Sequence, residues 1–265
     1  MPEETASDLL RAGKLAEALT AAQNAVRKAP TDLPARVLLA ELLIFSGNLE
    51  RADVLLDAAS TIDPSTAIVV AEFRQLIRAD MARRQLFRDG RVPEFLSDPT
   101  EAQRLQLAAL VALRAGDTAE AAKQTAAAEE ARPRTPGSHN DKPYDDLRDA
   151  DDLLAGSFEV LTTTGKYYWI PTDRVVTAEF HPPKRPRDLI WRRVSMSVAD
   201  GPDGDVYIPA IYGGSDPATD LLKLGRETDW TDAATGPVRG IGQRVFLCGE
   251  DDIAIMELGA LRFGA

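Results

Sequence analysis

Five aspartates lie within eight residues, at positions 145, 146, 149, 151 and 152 of the segment YDDLRDADD. Carboxylates at this density are typical of calcium loops and of acid–base catalysis. A calcium loop, however, needs ligands at alternate positions, a central glycine and a closing glutamate. Leu147, Ala150 and Leu153 interrupt that spacing. The segment therefore does not predict a metal site.

The other candidate metal ligands are also weak. Asp200, Asp203 and Asp205 in DGPDGD come closer to a cation loop, but aspartate and glycine are the residues that a hairpin turn requires. His139 and His181 have no second ligand nearby in sequence at a zinc-binding spacing. We expect no metal and no cofactor.

Nucleophilic catalysis has little support in the sequence. Ser215 lacks a Gly-x-Ser-x-Gly elbow, and Cys248 lies in an apolar strand that is typical of an inert core thiol. A carboxylate pair for glycoside hydrolysis stays open, because folding can bring together acids of the second half. A hydrolase with a carboxylate-based site in the C-terminal half is therefore the alternative function. A converging pocket with a shifted carboxylate would favour it.

Composition excludes some partners. The 265 residues carry a net charge of −11, which argues against nucleic-acid binding, because such proteins neutralise phosphates with a basic face. One cysteine forms no internal disulfide, which indicates a reducing compartment. The start MPEETASDLL is acidic, and the longest apolar stretch, 37–45, is short. We expect neither export nor a membrane span, and hence a cytoplasmic protein.

The composition changes near residue 140. All three tryptophans, all five tyrosines and the cysteine follow that point, whereas alanine, leucine, arginine and glutamate dominate before it. The intervening RPRTPGSHNDKP contains residues that cannot continue a helix. The chain is therefore divided into a helical domain, 1–132, a linker, 133–143, and a β-rich domain, 144–265.

An internal repeat predicts the fold of the first domain. Three copies of Gly-x4-Ala-x6-Ala-x4-Pro begin at Gly13, Gly47 and Gly116. The first two lie 34 residues apart, the period of tetratricopeptide repeats. Glycine would end the first helix of each hairpin, and alanine would let the second helix approach closely. Asp98-Pro99 predicts a further helix start, with Glu101 closing a capping box.

The middle of the first domain departs from the repeat. Residues 65–89 are predicted to form one long helix. The stretch from 72 to 91 contains six arginines and only three acidic residues, so it is locally basic. A solvated helix face is the simpler interpretation; the alternative is a docking surface for an acidic partner, formed by Arg74, Arg78 and Arg88.

The second half shows the period of β-strands. Residues 193–199 and 205–211 are predicted to pair across DGPDG, with further strands at 158–161, 167–170, 174–180, 244–248 and 253–258. Residues 185–191 and 216–224 are predicted as helical turns. The fold class is thus α+β, with a mainly antiparallel C-terminal domain. Trp169, Trp191 and Trp230 lie beside opposite charges, so each is a core residue or, if several converge, a partner contact.

Seven ordered motifs of the second half resemble one known family. They are DLRDADDLL, FEVLTTTGKYYWIP, HPPKRPRDLIW, DGDVYIPAIYGGS, LGRETDW, GIGQRVFL and LGALRF. Together they resemble the ImpE family, also described as TagJ or SciE type, which comprises accessory proteins of bacterial type VI secretion. The helical half fits the same family.

The resemblance implies a non-enzymatic adaptor. Its implied partner is the small subunit of the contractile sheath, and through it, indirectly, the unfoldase that disassembles the sheath. We predict that a helical or N-terminal segment of that subunit docks on the helical repeat.

For the aspartates the resemblance supplies no catalytic role. We hypothesise that Asp149 and Asp152 fix the linker to the second domain through arginine pairs and helix-end hydrogen bonds. The available arginines are Arg187, Arg226 and Arg244, with Arg192 and Arg193 also near strand ends.

Overall fold

A computed structural model describes residues 4–214 and 219–264. Helices occupy the first half and strands the second. The α-helices are α1 Ala6–Arg11, α2 Leu15–Lys28, α3 Leu33–Phe45, α4 Leu49–Ile62, α5 Ala67–Asp89, α6 Glu101–Arg114, α7 Thr118–Ala131 and the short α8 Asp220–Lys223. None of the helices in the described part of the chain is long and apolar enough to cross a bilayer.

The strands of the second half form three antiparallel sheets. They are β1 Gly137–His139, β2 Lys142–Tyr144, β3 Leu147–Asp149, β4 Ser157–Leu161, β5 Tyr167–Pro171, β6 Val175–Phe180, β7 Trp191–Val198, β8 Asp203–Pro209, β9 Thr228–Trp230, β10 Gly240–Gly242, β11 Val245–Cys248, β12 Asp251–Ala254 and β13 Ala260–Phe263. The large sheet has the order β2-β1-β13-β6-β7-β8-β4-β5. The smaller sheets are β10-β9 and β12-β11-β3.

The repeat prediction is confirmed by three helical hairpins. The pairs α1–α2, α3–α4 and α6–α7 turn at Gly13, Gly47 and Gly116, whose φ angles of 80°, 84° and 79° lie in the left-handed region that glycine adopts without strain. The first alanine of each copy is fully buried, as a closely packed helix seam requires; these residues are Ala18, Ala52 and Ala121.

The long middle helix is also confirmed, as α5. A 3₁₀ turn, Pro64–Thr66, precedes it, and the Asp63 side chain accepts from the Ser65 amide. The predicted start of the next helix at Asp98 is wrong. Thr100 is the N-cap of α6, and its capping box is closed by Gln103. Because Pro99 fits an extended approach to a helix as well as its first turn, the sequence pattern was ambiguous.

The strand predictions hold for the central hairpin and miss at one end. β7 and β8 pair across the predicted turn, in which Asp200 adopts a φ of 52°. The predicted strand 253–258 is shifted, because β12 ends at Ala254 and pairs with β11. The predicted helical turn at 185–191 is a 3₁₀ turn over Pro186–Leu189. Of the turn predicted at 216–224, residues 216–218 lie outside the described residues, and α8 forms the remainder.

The segment 133–143 differs from an open linker. Helix α7 ends at Ala131, and β1 pairs with the last strand, β13. Strand β2 then pairs back on β1. The segment thus contributes to the edge of the large sheet, because its backbone groups are satisfied by strand pairing. The division of the chain into domains at 132 and 143 stays a prediction.

Both halves share one hydrophobic core. Leu76 and Ile77 of α5 belong to the same buried cluster as Leu154, Trp169 and Trp191. A second cluster lies within the β-rich half and includes Phe158 and Phe246. The shared cluster means that the helical hairpins and the sheet bury apolar surface against each other.

Substitution of Ala52 by leucine tests the helix seam. Ala52 has no exposed surface, so three added carbon atoms must displace neighbouring atoms. We expect Ala52→Leu to lower the free energy of unfolding by about 1–3 kcal/mol, measured by urea denaturation. Ala25→Leu, at an exposed position of α2, is the matched control and should change it by less than about 0.5 kcal/mol. Equal stability of wild type and Ala52→Leu would contradict the close packing.

Candidate functional site

A buried glutamate joins the two halves. Glu159 on β4 has 0 % exposure. Arg83 of α5 donates to it through Nε and Nη2, each at 2.9 Å. The Tyr167 hydroxyl and Nη2 of Arg244 donate to the same carboxylate. One carboxylate therefore accepts from the long helix, from a neighbouring strand and from the segment that leads into β11.

The charges in this cluster set its protonation. Burial alone would raise the pKa of Glu159, but the charges of Arg83 and Arg244 outweigh it and hold the pKa at about 2. Burial also opposes the charge of Arg83, and Glu159 offsets this, so the pKa of Arg83 lies above its ordinary value. Glu159, Arg83 and Arg244 are therefore charged at neutral pH.

Asp149 extends the network into the aspartate segment. Its carboxylate lies 3.3 Å from Nη1 of Arg244, and the Tyr212 hydroxyl donates to it at 2.8 Å. Burial raises the pKa of Asp149, against the charge of Arg244. Asp149 and Glu159 thus contact different nitrogens, Nη1 and Nη2, of one buried guanidinium.

The other four aspartates also have structural partners. Asp146 pairs with Arg132 at 2.6 Å, which ties β3 to the end of α7. Asp152 pairs with Arg148 at 2.8 Å and accepts from the amide of Val238. Asp151 accepts from the amides of Leu153 and Gly240, and Asp145 is exposed beside Arg134. The density of carboxylates reflects several separate contacts.

Two of the predicted interdomain arginines contact the helical half. Arg187 lies over the ring of Phe73, with its guanidinium carbon 4.6 Å from the ring centre. Arg226 donates to the carbonyls of Leu10 and Arg11 at the C-terminal end of α1, at 2.7 and 2.8 Å. Both therefore join the halves through an aromatic ring and helix-end carbonyls, whereas the hypothesis paired them with aspartates.

A cleft of about 650 Å³ lies between the halves, directly beside this network. Its walls come from the turn between α3 and α4, from α5, from the start of β7, from the end of β8 with the loop that follows, and from α8. Four cationic residues line it: Arg83, which pairs with Glu159, and Arg84, Arg88 and Lys223. Among the described lining residues Asp80 is the single carboxylate.

The three tryptophans have different environments. Trp169 has 0 % exposure and donates to the Tyr167 hydroxyl at 2.6 Å, so it is a core residue and the proposal of a partner contact there is wrong. Trp191, 1 % exposed, lines the cleft and packs edge-on against Phe73. Trp230 is 38 % exposed and lies against Tyr212.

The arginines of α5 also differ in their exposure and partners. Arg74 pairs with both Asp53 and Asp57 of α4, which neutralises its charge and pins the two helices together. Arg78 and Arg88 are exposed, and Arg88 pairs with its neighbour Asp89 at 2.9 Å. Of the three predicted docking residues, Arg78 and Arg88 are the accessible ones.

The two carboxylates whose pKa is raised to about 7 do not line the cleft. Burial raises the pKa of Asp151 to about 7, and burial likewise raises the pKa of Glu41 to about 7. Neither residue lines the cleft. Within residues 4–214 and 219–264 there is no group of three or more His, Cys, Asp or Glu side chains that could hold a metal ion. Ser215 lies outside the described residues.

Arg83 and Glu159 are the central residues that the sequence analysis missed. A usable signal existed for Arg83, since it stands seven residues after Leu76 and so falls on the buried stripe of α5. Glu159 stands between Phe158 and Val160 in a strand that is buried throughout. A charged residue within such a run requires a buried partner of opposite charge.

A tetratricopeptide-like helical layer packed on an antiparallel β-rich half defines an α+β protein of the helical-repeat class. The profile of the family described as ImpE protein matches residues 141–262, and a tetratricopeptide repeat profile matches residues 9–77. The chain is 32 % identical over 261 residues to the type VI secretion system accessory component TagJ of Pseudomonas aeruginosa, covering 97 % of this chain and 90 % of that protein. It belongs to the ImpE family.

A solved structure shows the same fold. The crystal structure of protein VPA1032 from Vibrio parahaemolyticus superposes with a TM-score of 0.92 at 28 % identity, and the match covers 98 % of this chain and 97 % of that one. The similarity therefore includes both halves and their arrangement.

Substitution of Glu159 by glutamine tests the network. Because Arg83 and Arg244 would stay buried without their counter-charge, we expect Glu159→Gln to lower the free energy of unfolding at neutral pH by about 3–5 kcal/mol, measured by urea denaturation. The folded-state pKa lies below the ordinary value of 4.5, so this stabilisation is present above pH 4.5 and is lost as the pH falls through about 2. The difference between the two proteins should therefore shrink in acid.

The exposed Glu257→Gln is the control, which should change the free energy of unfolding by less than about 0.5 kcal/mol. A Glu159→Gln protein as stable as wild type at neutral pH would contradict the role of the network.

Proposed function

We propose that this chain is a type VI secretion accessory protein that acts by binding another protein. The observation that carries the proposal is the similarity to the accessory component TagJ, which extends over 97 % of the chain. A match of that extent includes the helical repeat, the β-rich half and the cleft between them. Helical repeats of this kind serve widely as binding surfaces.

We further propose that the partner is the small subunit of the contractile sheath, and that the bound segment is a short helix or the N-terminal region of that subunit. Stacked helical hairpins offer grooves that suit an amphipathic helix. Large apolar side chains are exposed on α4 and at the start of α5, namely Val54, Ile68 and Val69. Arg78 and Arg88 add positive charge along α5. Such apolar contacts would supply most of the affinity, and the arginines would mainly set the association rate.

The proposed role is non-enzymatic. The hydrolase alternative requires a carboxylate of shifted pKa in a converging pocket, whereas Asp151 and Glu41 are buried outside the cleft. Asp80, the carboxylate of the cleft, lies beside Arg83 and Arg84. Binding to the sheath in the bacterial cytoplasm would then affect sheath assembly or its disassembly by the unfoldase.

A peptide titration tests the proposed partner. A fluorescently labelled peptide from the N-terminal region of the small sheath subunit is titrated against the full chain, with a scrambled peptide as control, and binding is read by anisotropy. Arg78→Glu/Arg88→Glu should reduce the association rate about tenfold and weaken its salt dependence. Arg262→Glu, an exposed arginine of β13, should leave the rate unchanged. Absence of wild-type binding to any sheath peptide would refute the proposal.

A further inference from the structure

The cleft between the halves is built by both of them. Phe45 and Gly47 come from the α3–α4 turn, Arg84 and Phe87 from α5, and Ile211 from the chain after β8. Its volume of about 650 Å³ lies within the range of sites that bind small molecules or peptide side chains. Because opposite walls belong to different halves, an occupant would contact both.

Cationic side chains outnumber carboxylates among the residues that line the cleft of this acidic protein. Arg84 and Lys223 have partly exposed side chains, and Arg88 is exposed. Outside the lining, Arg88 pairs with Asp89 at 2.9 Å and Lys223 lies 4.0 Å from Asp220. Asp80, the one carboxylate among the described lining residues, is buried and pairs with Arg84 at 3.4 Å. The whole chain carries −11. A local basic site on such a background favours an anionic occupant.

One residue that lines the cleft, Trp191, has a buried donor without an acceptor among the described residues. Trp191 is 1 % exposed, and its indole N–H has no hydrogen-bond partner among the described residues. A buried donor without an acceptor costs free energy that a bound acceptor would recover. A carboxylate can accept from an indole N–H while it pairs with a guanidinium or an ammonium group.

Apolar surface accompanies these polar groups. Phe87 lines the cleft, and the guanidinium carbons of Arg83 and Arg239 lie 5.8 and 5.9 Å from its ring centre. Phe45 and Ile211 add further apolar surface. The cleft thus offers an apolar wall beside cations, which suits a segment that carries an acidic side chain next to an apolar one.

We propose that the cleft binds an acidic side chain of the bound protein segment. Arg84 and Lys223 pair with this side chain, and an apolar residue next to it in the segment packs on Phe87. The proposal rests on the proposed function, since it places a part of the same partner in this cleft. Both halves would then contribute to binding, and the partner would contact residues on either side of the Glu159 network.

A double-mutant cycle between the protein and the sheath-subunit peptide described above tests this site. Arg84→Glu/Lys223→Glu should bind the peptide about tenfold more weakly than wild type, whereas the Arg262→Glu control binds it unchanged. A peptide whose aspartates and glutamates are replaced by asparagine and glutamine should bind wild type about tenfold more weakly as well. That neutral peptide should lose nothing further on the cleft variant, because both changes remove the same ion pair.

The outcomes separate the two proposals. Independent, multiplicative losses in the cycle, or unchanged binding by the folded cleft variant, would overturn the cleft while leaving the sheath partner intact. A peptide without any acidic residue that still binds tightly would do the same. No binding by wild type would overturn both. Thermal melting checks folding, and Lys223→Glu alone, a surface change, repeats the test if the double variant fails to fold.

Discussion

The pairing of Glu159 with Arg83 and Arg244 is the constraint on which the arrangement of the molecule depends. Removing three charges from water is costly, and the cost is offset only while every partner is in place. Arg83 comes from a helix and Arg244 from the segment before β11, so the three side chains fix α5 relative to β4. Arg83 also donates to the Ile211 carbonyl at 3.0 Å, which fixes one wall of the cleft.

The same network of buried ion pairs explains part of the aspartate segment. Asp149 balances the charge of Arg244 at Nη1 while Glu159 contacts Nη2, and Asp146 holds the end of α7 through Arg132. The carboxylates therefore contribute to the connection between helices and sheet. The cleft beside the network is the surface that we propose for the bound segment, since it is lined by cations and by Trp191, whose indole N–H has no acceptor among the described residues.

Local signals account for what the sequence predicted well. The glycines that end α1, α3 and α6, the buried alanines of the seams and the alternation of β7 and β8 each act over a few residues. They suffice for the fold class, the repeat and the central hairpin. The family resemblance came from ordered motifs in the second half, and the matching profile covers residues 141–262.

The contacts between the halves were not predictable in this way. Arg83 and Glu159 are 76 residues apart, and no local sequence pattern around either residue indicates that the other is its partner. The same is true of Arg226, which reaches α1 across more than two hundred residues. Strand β1 looked like a linker because its pairing partner, β13, stands at the other end of the chain. Trp169 looked like a surface candidate because its burial depends on the helical half.

Comparison of two unfolding probes tests the central claim that the network makes the halves one cooperative unit. All three tryptophans lie in the second half, so their fluorescence reports on the sheet, whereas far-ultraviolet circular dichroism reports mainly on the helices of the first half. The account predicts coincident urea transitions for the two probes in wild type. Two separated transitions, with the helices and the sheet unfolding at different urea concentrations, would contradict it.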